Sequence, residues 1–375
     1  MTTSYDAIVV GLGAMGSATI YQLAKRGWRV LGLDMFQPGH DQGSSHGYHR
    51  MIRRSAIQDD GYVPLADRAF ELWAMLEEEA GRKLLSIVGE VRLIHPGGDP
   101  HFQSDAEEMQ RRGFWEILSE TDLAERFPGF RLHTGMLATY EANAGFLWSE
   151  AGIIAHIEVA RQRGATIHAS EEVLSWDIDG AGVKVNTTAG EYTADRLIVA
   201  TGAWAADLLP GLSLPFQVIR SINGYFEPAR PDWWKAESGA PDFLLYVPEG
   251  NFYGMPAVDG IGLKIGVSSK ETTTARTIRR TVGADEIQAL RDALDKYMPG
   301  ASGPEMRHIT CMDAYTRDGD FIIDRHPAHE QVIFGCGFSG RGYKFSPAVG
   351  EILADLATDG ETRHDIAFLS SQRFA

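Results

Sequence analysis

Basic side chains are concentrated between residues 43 and 54, where the sequence reads GSSHGYHRMIRR. The segment contains His46, His49, Arg50 and Arg53, although the whole chain has a formal net charge of −16. A planar guanidinium binds two oxygens of a phosphate or a carboxylate at once. The segment therefore indicates a site for a cofactor phosphate or a substrate carboxylate, and a solvated basic face is the alternative. If the segment is helical, Arg50 and Arg53 share one face.

Two lysines also occupy positions that suggest a functional role. In GIGLKIGVSS (260–269), apolar residues alternate with Gly262, Lys264 and Gly266, so one strand face carries a lysine between two glycines. Glycines weaken a strand, and we expect a bulky group against this face with the ammonium directed at it. A lysine that protects an edge strand is the alternative. Lys344 stands at the predicted start of the last helix, where a cation opposes the helix dipole. We expect it to serve an anion, and a surface lysine is the alternative.

One of the two cysteines, Cys311, lies in HITCMDAYTRDGDFIIDRHP (308–327), where an apolar segment gives way to a polar turn. A lone cysteine is usually a small, buried, hydrophobic residue. Cys311 and Cys336 do not have the spacing of metal ligands and cannot form a disulfide framework. We expect no metal site, and the local sequence alone favours an inert thiol.

The N-terminal segment YDAIVVGLGAMGSATIYQLAKRGWRVLGLD contains the elements that would position a ligand. Its apolar run predicts a strand buried on both faces, followed by a glycine turn and a helix. Gly11, Gly13 and Gly16 permit a tight turn, close approach to a pyrophosphate and close helix–strand packing. The helix N-terminus then faces the phosphates, and Asp34, after the second predicted strand, can accept from a ribose hydroxyl. This combination predicts a dinucleotide site without distinguishing NAD from FAD.

Two later segments also show a buried strand followed by a glycine turn and a helix, YTADRLIVATGAWAADLLP (192–210) and QVIFGCGFSGRGYKFSPAVGEILADL (331–356). We expect them to complete the cofactor domain. Residues 84–98 and 243–270 instead have the pattern of strands joined by glycine and proline turns. The predicted fold class is therefore α/β. It comprises a Rossmann-type domain assembled from separated segments and a second, mixed-sheet α+β domain inserted into the first.

The composition limits the partners of the protein. A chain of 375 residues is long enough for two domains. The net charge of −16 argues against nucleic acid and anionic membranes, because a polyanion would be repelled. The N-terminus lacks the basic region of a signal peptide, and no apolar run reaches the roughly 18 residues of a membrane-spanning helix. We expect a soluble, cytoplasmic protein.

Taken together, these segments resemble the monomeric sarcosine oxidase and N-methyltryptophan oxidase family of flavoenzymes. The resemblance covers essentially the whole chain. It is carried by the N-terminal glycine turn, by GSSHG with the arginines that follow it, and by YTADRLIVATGAW, GLKIG, TCM, DFIIDRHP and GFSGRGYKFSPAVGE. It implies an FAD domain formed by residues 1–83, 150–215 and 325–375, and a substrate domain formed by residues 84–149 and 216–324. It also implies a monomer.

The resemblance further implies how the cofactor is held. A thioether from Cys311 to the flavin 8α carbon would attach FAD covalently. The other residues expected to contact FAD are Gly11, Gly13, Ala14, Met15, Gly16, Asp34, Ser44, Ser45, His46, Arg50, Val173, Gly202, Trp204, Met312, Gly340, Gly342, Tyr343 and Lys344.

The catalytic residues implied by the resemblance are mostly basic. Arg53 and Lys344 would hold the carboxylate of the substrate, and Lys264 would help O2 to react with reduced flavin. Asp313 and His49 complete the predicted catalytic set, because both positions would line or border the substrate cavity.

Three of the positions at the predicted cavity depart from the family pattern. Asp313 stands where family members carry a tyrosine, Ser268 where they carry a histidine, and His49 where they carry a small residue. The substrate therefore need not be sarcosine itself, although the carboxylate-binding pair is retained.

The activity implied by the resemblance is oxidation of a secondary amine, most simply an N-methyl amino acid, by FAD and O2. The products would be an imine, which water hydrolyses, and H2O2. Fructosyl-amino-acid and saccharopine-type oxidases are alternatives with the same chemistry. A dehydrogenase that uses another electron acceptor and a non-enzymatic FAD-binding protein are further alternatives.

Overall fold

The computed structural model of the protein describes residues 4–55, 61–98, 101–212 and 214–374. The strands within these residues are β1 (Ser4–Val10), β2 (Val30–Asp34), β3 (His49–Ile52), β4 (Leu85–Ile87), β5 (Glu90–Ile94), β6 (Glu116–Leu118), β7 (Leu137–Glu141), β8 (Gly145–Trp148), β9 (Thr166–Ala169), β10 (Val173–Asp179), β11 (Gly182–Thr187), β12 (Glu191–Val199), β13 (Phe216–Phe226), β14 (Asp242–Val247), β15 (Gly250–Val258), β16 (Gly262–Thr273), β17 (Glu305–Thr316), β18 (Ile322–His326) and β19 (His329–Cys336). The α-helices are α1 (Ala14–Lys25), α2 (Tyr62–Ala80), α3 (Phe102–Arg111), α4 (Glu120–Arg126), α5 (Ser149–Gln162), α6 (Ala205–Leu208), α7 (Pro231–Trp234), α8 (Ala284–Tyr297) and α9 (Ser346–Thr358). None of these described helices is both long enough and apolar enough to cross a membrane.

The first sheet contains the predicted nucleotide turn. Its strands lie in the order β10-β11-β12-β1-β2-β9, with β19 paired to β12 and β18 paired to β19. The central pairs β1–β12, β1–β2, β2–β9 and β12–β19 are parallel. The apolar residues Ala7 to Val10 are buried, as expected for a parallel strand covered on both faces. The strands predicted at 7–10, 30–33 and 197–200 are confirmed to within a few residues.

Helices cover one face of this first sheet. Helix α1 packs against α5 and α9, and α2 also packs against α5 and α9. The close approach of α1 and α9 depends on Gly350, where a Cβ would lie 2.6 Å from backbone and side-chain carbons of Ala18. The predicted last helix is confirmed as α9, and a 3-10 turn at Tyr343–Phe345 precedes it. Lys344 therefore lies directly before the N-terminus of α9, as the sequence predicts.

The second sheet has the strand order β17-β13-β16-β15-β14-β5-β7-β6. Its neighbours are antiparallel except β14 and β5, which are parallel. Strand β16 lies between β13 and β15, so Lys264 is not on an edge strand and the alternative of an edge-protecting lysine is wrong. Leu263 and Ile265 join the apolar core, and Lys264 is also fully buried. A lysine buried in the middle of a sheet requires polar partners.

A small third sheet, of order β3-β8-β4, carries part of the basic segment. The helix considered for residues 43–54 does not form, because His49–Ile52 is a strand paired with Gly145–Trp148. The residues before this strand explain the difference. Gly47 and Tyr48 have φ values of 100° and 64°, which a right-handed helix cannot include.

Strand pairing bears on the proposed domain division. The chain leaves the second sheet after β17 and enters the first with β18, because Ile322–His326 pairs with β19. The predicted boundary at residues 324 and 325 therefore falls inside β18. The third sheet joins β3, from the first predicted FAD segment, to β4 and β8, from the first predicted substrate segment.

Candidate active site

The turn between β1 and α1 is shaped by close backbone contacts. Gly11 has a φ of 86°, and a Cβ on it would lie 2.7 Å from the carbonyl oxygen of Ala200. A Cβ on Gly16 would lie 1.7 Å from the carbonyl oxygen of Gly11, so a side chain there would push α1 away from the turn. Beside Gly13 there is room, since a Cβ there would approach the Ser45 hydroxyl no closer than 3.7 Å. The helix N-terminus is thus accessible to a phosphate.

Asp34 ends β2 beside this turn. Its carboxylate accepts hydrogen bonds from the amides of Leu12, at 2.6 Å, and Phe36, at 2.8 Å. Each carboxylate oxygen can accept a second hydrogen bond. The predicted role of Asp34 as the acceptor for a ribose hydroxyl therefore fits its position.

A cavity of about 1110 Å³ extends from the glycine turn to the second sheet. It exceeds the roughly 300–1,000 Å³ of pockets that hold drug-sized ligands, so it has room for a dinucleotide together with a small molecule. Most of the predicted site residues line it: Gly11, Gly13, Ala14, Met15, Asp34, Ser44, Ser45, Arg50, Arg53, Val173, Gly202, Trp204, Cys311, Asp313, Gly340, Gly342, Tyr343 and Lys344.

Five predicted site residues are not among the described residues that line this cavity. They are Gly16, His46, His49, Lys264 and Met312. Gly16 supports the turn from the helix side. Met312 alternates along β17 with two cavity residues and is fully buried on the opposite face of the strand.

His49 lies away from the cavity that we expected it to border. Its buried ring packs against Phe146 and Trp148 of β8, with ring centroids 5.0 Å and 4.8 Å away. Burial, assisted by the charges of Lys264 and Arg50, lowers the pKa of the imidazole to about 3. Neither ring nitrogen has a hydrogen-bond partner among the described residues. The ring is therefore a neutral packing group, and the carbonyl oxygen of His49 is the part that contacts a predicted catalytic residue.

Basic groups surround the sulfur of Cys311 at the cavity wall. The sulfur lies 3.3 Å from Nε2 of His46, and Nη2 of Arg50 donates to it at 3.3 Å. Burial raises the pKa of this thiol, but His46 and Arg50 outweigh burial and lower the pKa to about 7. For Cys336, by contrast, burial raises the pKa to about 12. Cys311 therefore has a large thiolate fraction at neutral pH, and the thiolate is the nucleophilic form.

Lys264 lies beneath the cavity wall. Its Nζ donates to the carbonyl oxygens of Gly47, at 3.1 Å, and His49, at 3.0 Å. Burial, and next the charge of Arg50, lower the pKa of this ammonium well below its usual value. A bulky side chain lies against the strand face that carries Lys264, because a Cβ on Gly266 would lie 2.6 Å from the ring of Tyr253 in β15. The ammonium, however, is directed at the two carbonyl oxygens and not at this ring.

Arg53 and Lys344 both line the cavity. Arg53 donates to Glu90 at 3.0 Å, and the fully buried Glu90 also pairs with Arg92. Nζ of Lys344 lies 3.4 Å from the carbonyl oxygen of Arg341, which is a long hydrogen bond. Burial, and next the charge of Arg53, lower the pKa of Lys344. The positive charges of Arg53 and Lys344 repel each other, and an anion bound between the two side chains would stabilise both.

Asp313 adds a carboxyl group to the same cavity. Its Oδ2 accepts from the hydroxyl of Ser221 at 2.7 Å, and burial raises its pKa against the opposing effects of Ser221 and Arg50. The hydroxyl of Ser268 lies 3.5 Å from that of Ser221 and 3.2 Å from that of Tyr315. Asp313 and Ser268, two of the departures from the family pattern, therefore belong to one polar cluster.

Sequence reasoning missed three residues that support this site. Glu90 is the buried partner of Arg53, and its signal was a charged residue at the start of the apolar strand EVRLI. Tyr253 lines the cavity and donates to Asn223 at 3.1 Å. Glu150 accepts hydrogen bonds from the amides of the turn before β3, and the local sequence gave no signal for this distant contact.

Comparison with known proteins identifies the class. The family model described as FAD dependent oxidoreductase (DAO) matches residues 6–356. Monomeric sarcosine oxidase from Bacillus sp. (strain B-0618) is 40% identical over 100% of this chain and 97% of its own length. N-methyl-L-tryptophan oxidase from Salmonella arizonae is 32% identical, covering 99% of both chains. The structure of NikD, an amino acid oxidase essential for nikkomycin biosynthesis, superposes with a TM-score of 0.87 at 25% identity, covering 98% of both chains.

The protein belongs to the DAO family of FAD-dependent oxidoreductases. Its own residues fit the cofactor. The space beside Gly13, the glycine contacts of the turn and the position of Asp34 suit a dinucleotide, and the basic segment (43–54) borders the remainder of the cavity. The predicted fold class and enzyme class are confirmed.

Proposed function

We propose that this protein is an FAD-dependent oxidase of secondary amines, with N-methyl amino acids as its substrates and an imine and H2O2 as its products. The names of its relatives, monomeric sarcosine oxidase and N-methyl-L-tryptophan oxidase, support this substrate class. The observation that carries the proposal is the position of Arg53 and Lys344 on the wall of one cavity with Cys311. The monomeric state and the cytoplasmic location predicted from the sequence stay predictions.

Arg53 and Lys344 would bind the carboxylate of the substrate. Glu90 holds one guanidinium nitrogen of Arg53, at 3.0 Å, and thereby orients the side chain. The substrate carboxylate would share this guanidinium with Glu90 and accept from Lys344, whose Nζ makes a long hydrogen bond to the carbonyl oxygen of Arg341. This arrangement favours amino acids over simple amines.

The same cations would act on the amine of the substrate. An amine must lose its proton before it is oxidised, and nearby positive charges lower an amine pKa. Each unit of such a shift is worth about 1.4 kcal/mol. FAD, when bound, supplies the acceptor for the hydride equivalent from the N–CH bond and then passes the electrons to O2. The protein supplies the orientation of the substrate and the positive field.

Cys311 would hold FAD covalently through its sulfur. Two contacts, from His46 and from Arg50, favour the thiolate at neutral pH. Lys264 would serve the reaction with O2, because a buried cationic or hydrogen-bonding nitrogen stabilises the negative charge that develops on oxygen. Met312 and His46 would support the cofactor site from behind Cys311.

Asp313 would contact a polar or cationic part of the substrate that is remote from the reacting amine. A carboxylate beside that amine would raise its pKa and oppose oxidation. One of its oxygens is bound by Ser221, and the residue lines the cavity, so the carboxyl group can receive a further donor. This feature favours, as the second candidate, a fructosyl-amino-acid or saccharopine-type oxidase, whose substrates carry additional polar groups.

A screen of secondary amines tests this proposal. The purified flavoprotein is mixed, without O2, with N-methyl amino acids, with the same amines lacking the carboxylate, and with fructosyl amino acids. Loss of flavin absorbance should be fastest for a carboxylate-bearing secondary amine. Failure of every secondary amine to bleach the flavin would leave a non-enzymatic FAD-binding protein as the better account.

A further inference from the structure

The turn at Gly47 and Tyr48 connects the basic segment to the carboxylate of Glu150. Glu150, the second residue of α5, accepts from the amide of Gly47 at 2.6 Å and from the amide of Tyr48 at 3.0 Å. The amide of Ser149 donates to the carbonyl oxygen of Tyr48 at 2.9 Å. The first two residues of α5 therefore bind two amides and one carbonyl oxygen of the turn.

This turn needs such support because of its backbone conformation. Tyr48 has a φ of 64°, and a left-handed conformation disfavours a residue with a bulky side chain. Charge-assisted hydrogen bonds to a half-buried carboxylate are among the stronger contacts that can hold it. Burial raises the pKa of Glu150, but donors from Ser149, Gly47 and Tyr48 lower it overall, so the group is a carboxylate at neutral pH.

The carbonyl oxygens of the same turn are the partners of Lys264. Gly47 and His49 supply both acceptors of its Nζ, at 3.1 Å and 3.0 Å, and Tyr225 also donates to the carbonyl oxygen of Gly47 at 2.9 Å. The side-chain nitrogen of Lys264 has three tetrahedral positions besides its bond to carbon. Because two of these positions are directed at fixed carbonyl oxygens, the direction of the third position is fixed as well. A displacement of the turn would change that direction.

We propose that Glu150 is a positioning residue, which fixes the turn from Gly47 to His49 and thereby orients the side-chain nitrogen of Lys264. The role of Lys264 in the reaction with O2 rests on the proposed function. The role of Glu150 rests on the contacts of this turn. Substitution of Glu150 should therefore affect the step that uses Lys264 and leave the reduction of the flavin by substrate unchanged.

The test compares Glu150→Gln with Lys264→Met and with Glu158→Gln. Glu158 is a matched control on the same helix, because its side chain is exposed and pairs with Arg82 on the surface. Glutamine keeps the size of Glu150 but replaces one acceptor by a donor. Flavin reduction by substrate and reoxidation by O2 are measured separately in rapid mixing. Hydrogen–deuterium exchange of the peptide containing Gly47 and Tyr48 is measured on each protein.

We expect Glu150→Gln to reoxidise about tenfold more slowly, the effect of losing one charge-assisted hydrogen bond, with an unchanged rate of reduction. The amides of the turn should also exchange faster, and Glu158→Gln should match the unsubstituted protein in all three measurements. Equal slowing of both half-reactions would overturn the proposal in favour of a merely structural role.

Two further outcomes separate this inference from the proposed function. If Lys264→Met slows reoxidation but Glu150→Gln does not, the positioning role is wrong and the role of Lys264 stands. If Lys264→Met leaves reoxidation unchanged, the proposed role of Lys264 is wrong, and the inference about Glu150 is overturned with it.

Discussion

The imidazole of His46 lies 3.3 Å from the sulfur of Cys311. The residues are 265 positions apart in the chain, so this contact exists only because β17 of the second sheet lies beside the segment that leads into β3. It makes one of two buried cysteines acidic, while Cys336 stays an apolar core residue.

This contact predicts the pH dependence of flavin attachment. The pKa of Cys311 is lowered to about 7, so the thiolate, and with it the rate of attachment, should rise as the pH increases through about 7 and level off above it. Apoprotein is mixed with FAD at a series of pH values, and the flavin that stays with acid-precipitated protein is measured. His46→Ala should move the midpoint upward, towards the usual thiol value. An unchanged midpoint in that variant would count against the role of His46.

Cysteine variants test the attachment point itself. Cys311→Ser should release all of the flavin on acid precipitation, because an alcohol is a far weaker nucleophile than a thiolate. Cys336→Ser is the control, since that residue is buried in the core of the first sheet away from the cavity. Flavin retained by the Cys311 variant would show that another residue holds it.

Arg53 is proposed to bind the substrate carboxylate, and the adjacent Arg54 is a matched control. Arg53→Met should raise the KM for N-methyl amino acids by roughly 10- to 100-fold and change the KM of simple amines little, since a charge-assisted hydrogen bond is lost. Arg54→Met should have no such effect, because the side chain of Arg54 pairs with Asp67 at the surface. Steady-state kinetics with both substrate types would settle this, and equal losses for the two types would contradict the assigned role.

Substitution of Asp313 should change the choice of substrate. Asp313→Tyr and Asp313→Asn both remove the carboxylate, which accepts a hydrogen bond from Ser221 in this protein. We expect the order of preference among N-methyl amino acids and fructosyl amino acids to shift, with flavin attachment intact. The ratios of kcat/KM across the panel are the measurement, and an unchanged order in both variants would remove Asp313 from the specificity argument.

Acid stability should depend on Glu351 in α9. Burial raises its pKa, but hydrogen bonds from Arg68 and His364 lower it below its usual value near 4.5. A carboxyl group whose pKa is lowered by folding stabilises the protein above its unfolded pKa, and this contribution is lost as the pH falls. Glu351→Gln should therefore cost about 1–3 kcal/mol at pH 7 and progressively less below roughly pH 4, as thermal unfolding would show.

The control for this prediction uses the same arginine. Glu71 pairs with Arg68 from an exposed position, with 63% of its side chain accessible. Glu71→Gln should change the stability by less than about 1 kcal/mol, as is usual for surface ion pairs. Equal effects of the two substitutions would contradict the importance of burial at Glu351.

The sequence was informative wherever a local pattern determines a structure. Strand–glycine–helix patterns predicted the nucleotide turn, and the alternation around Lys264 predicted a strand with a covered polar face. The basic segment was harder, because its conformation is set by the left-handed turn at Gly47 and Tyr48 and by the strand it pairs with. The same turn directs the ring of His49 into the core, away from the cavity.

Long-range contacts could not be predicted from spacing. Glu90 contacts Arg53, and Glu150 contacts Gly47, only in the folded protein, because each pair is far apart in the chain. Neither glutamate differs locally from a surface acid. In the folded protein Glu90 is fully buried beside Arg53, and Glu150 is half-buried against the amides of Gly47 and Tyr48.

The most direct test of the proposed function is anaerobic mixing with an N-methyl amino acid, followed by admission of O2. We predict that the flavin is bleached and that, after O2 is admitted, its absorbance returns with release of one H2O2 for each flavin reduced. Bleaching without H2O2 would indicate a dehydrogenase with another electron acceptor. If no secondary amine bleached the flavin, the proposal that this protein is an amine oxidase would be contradicted.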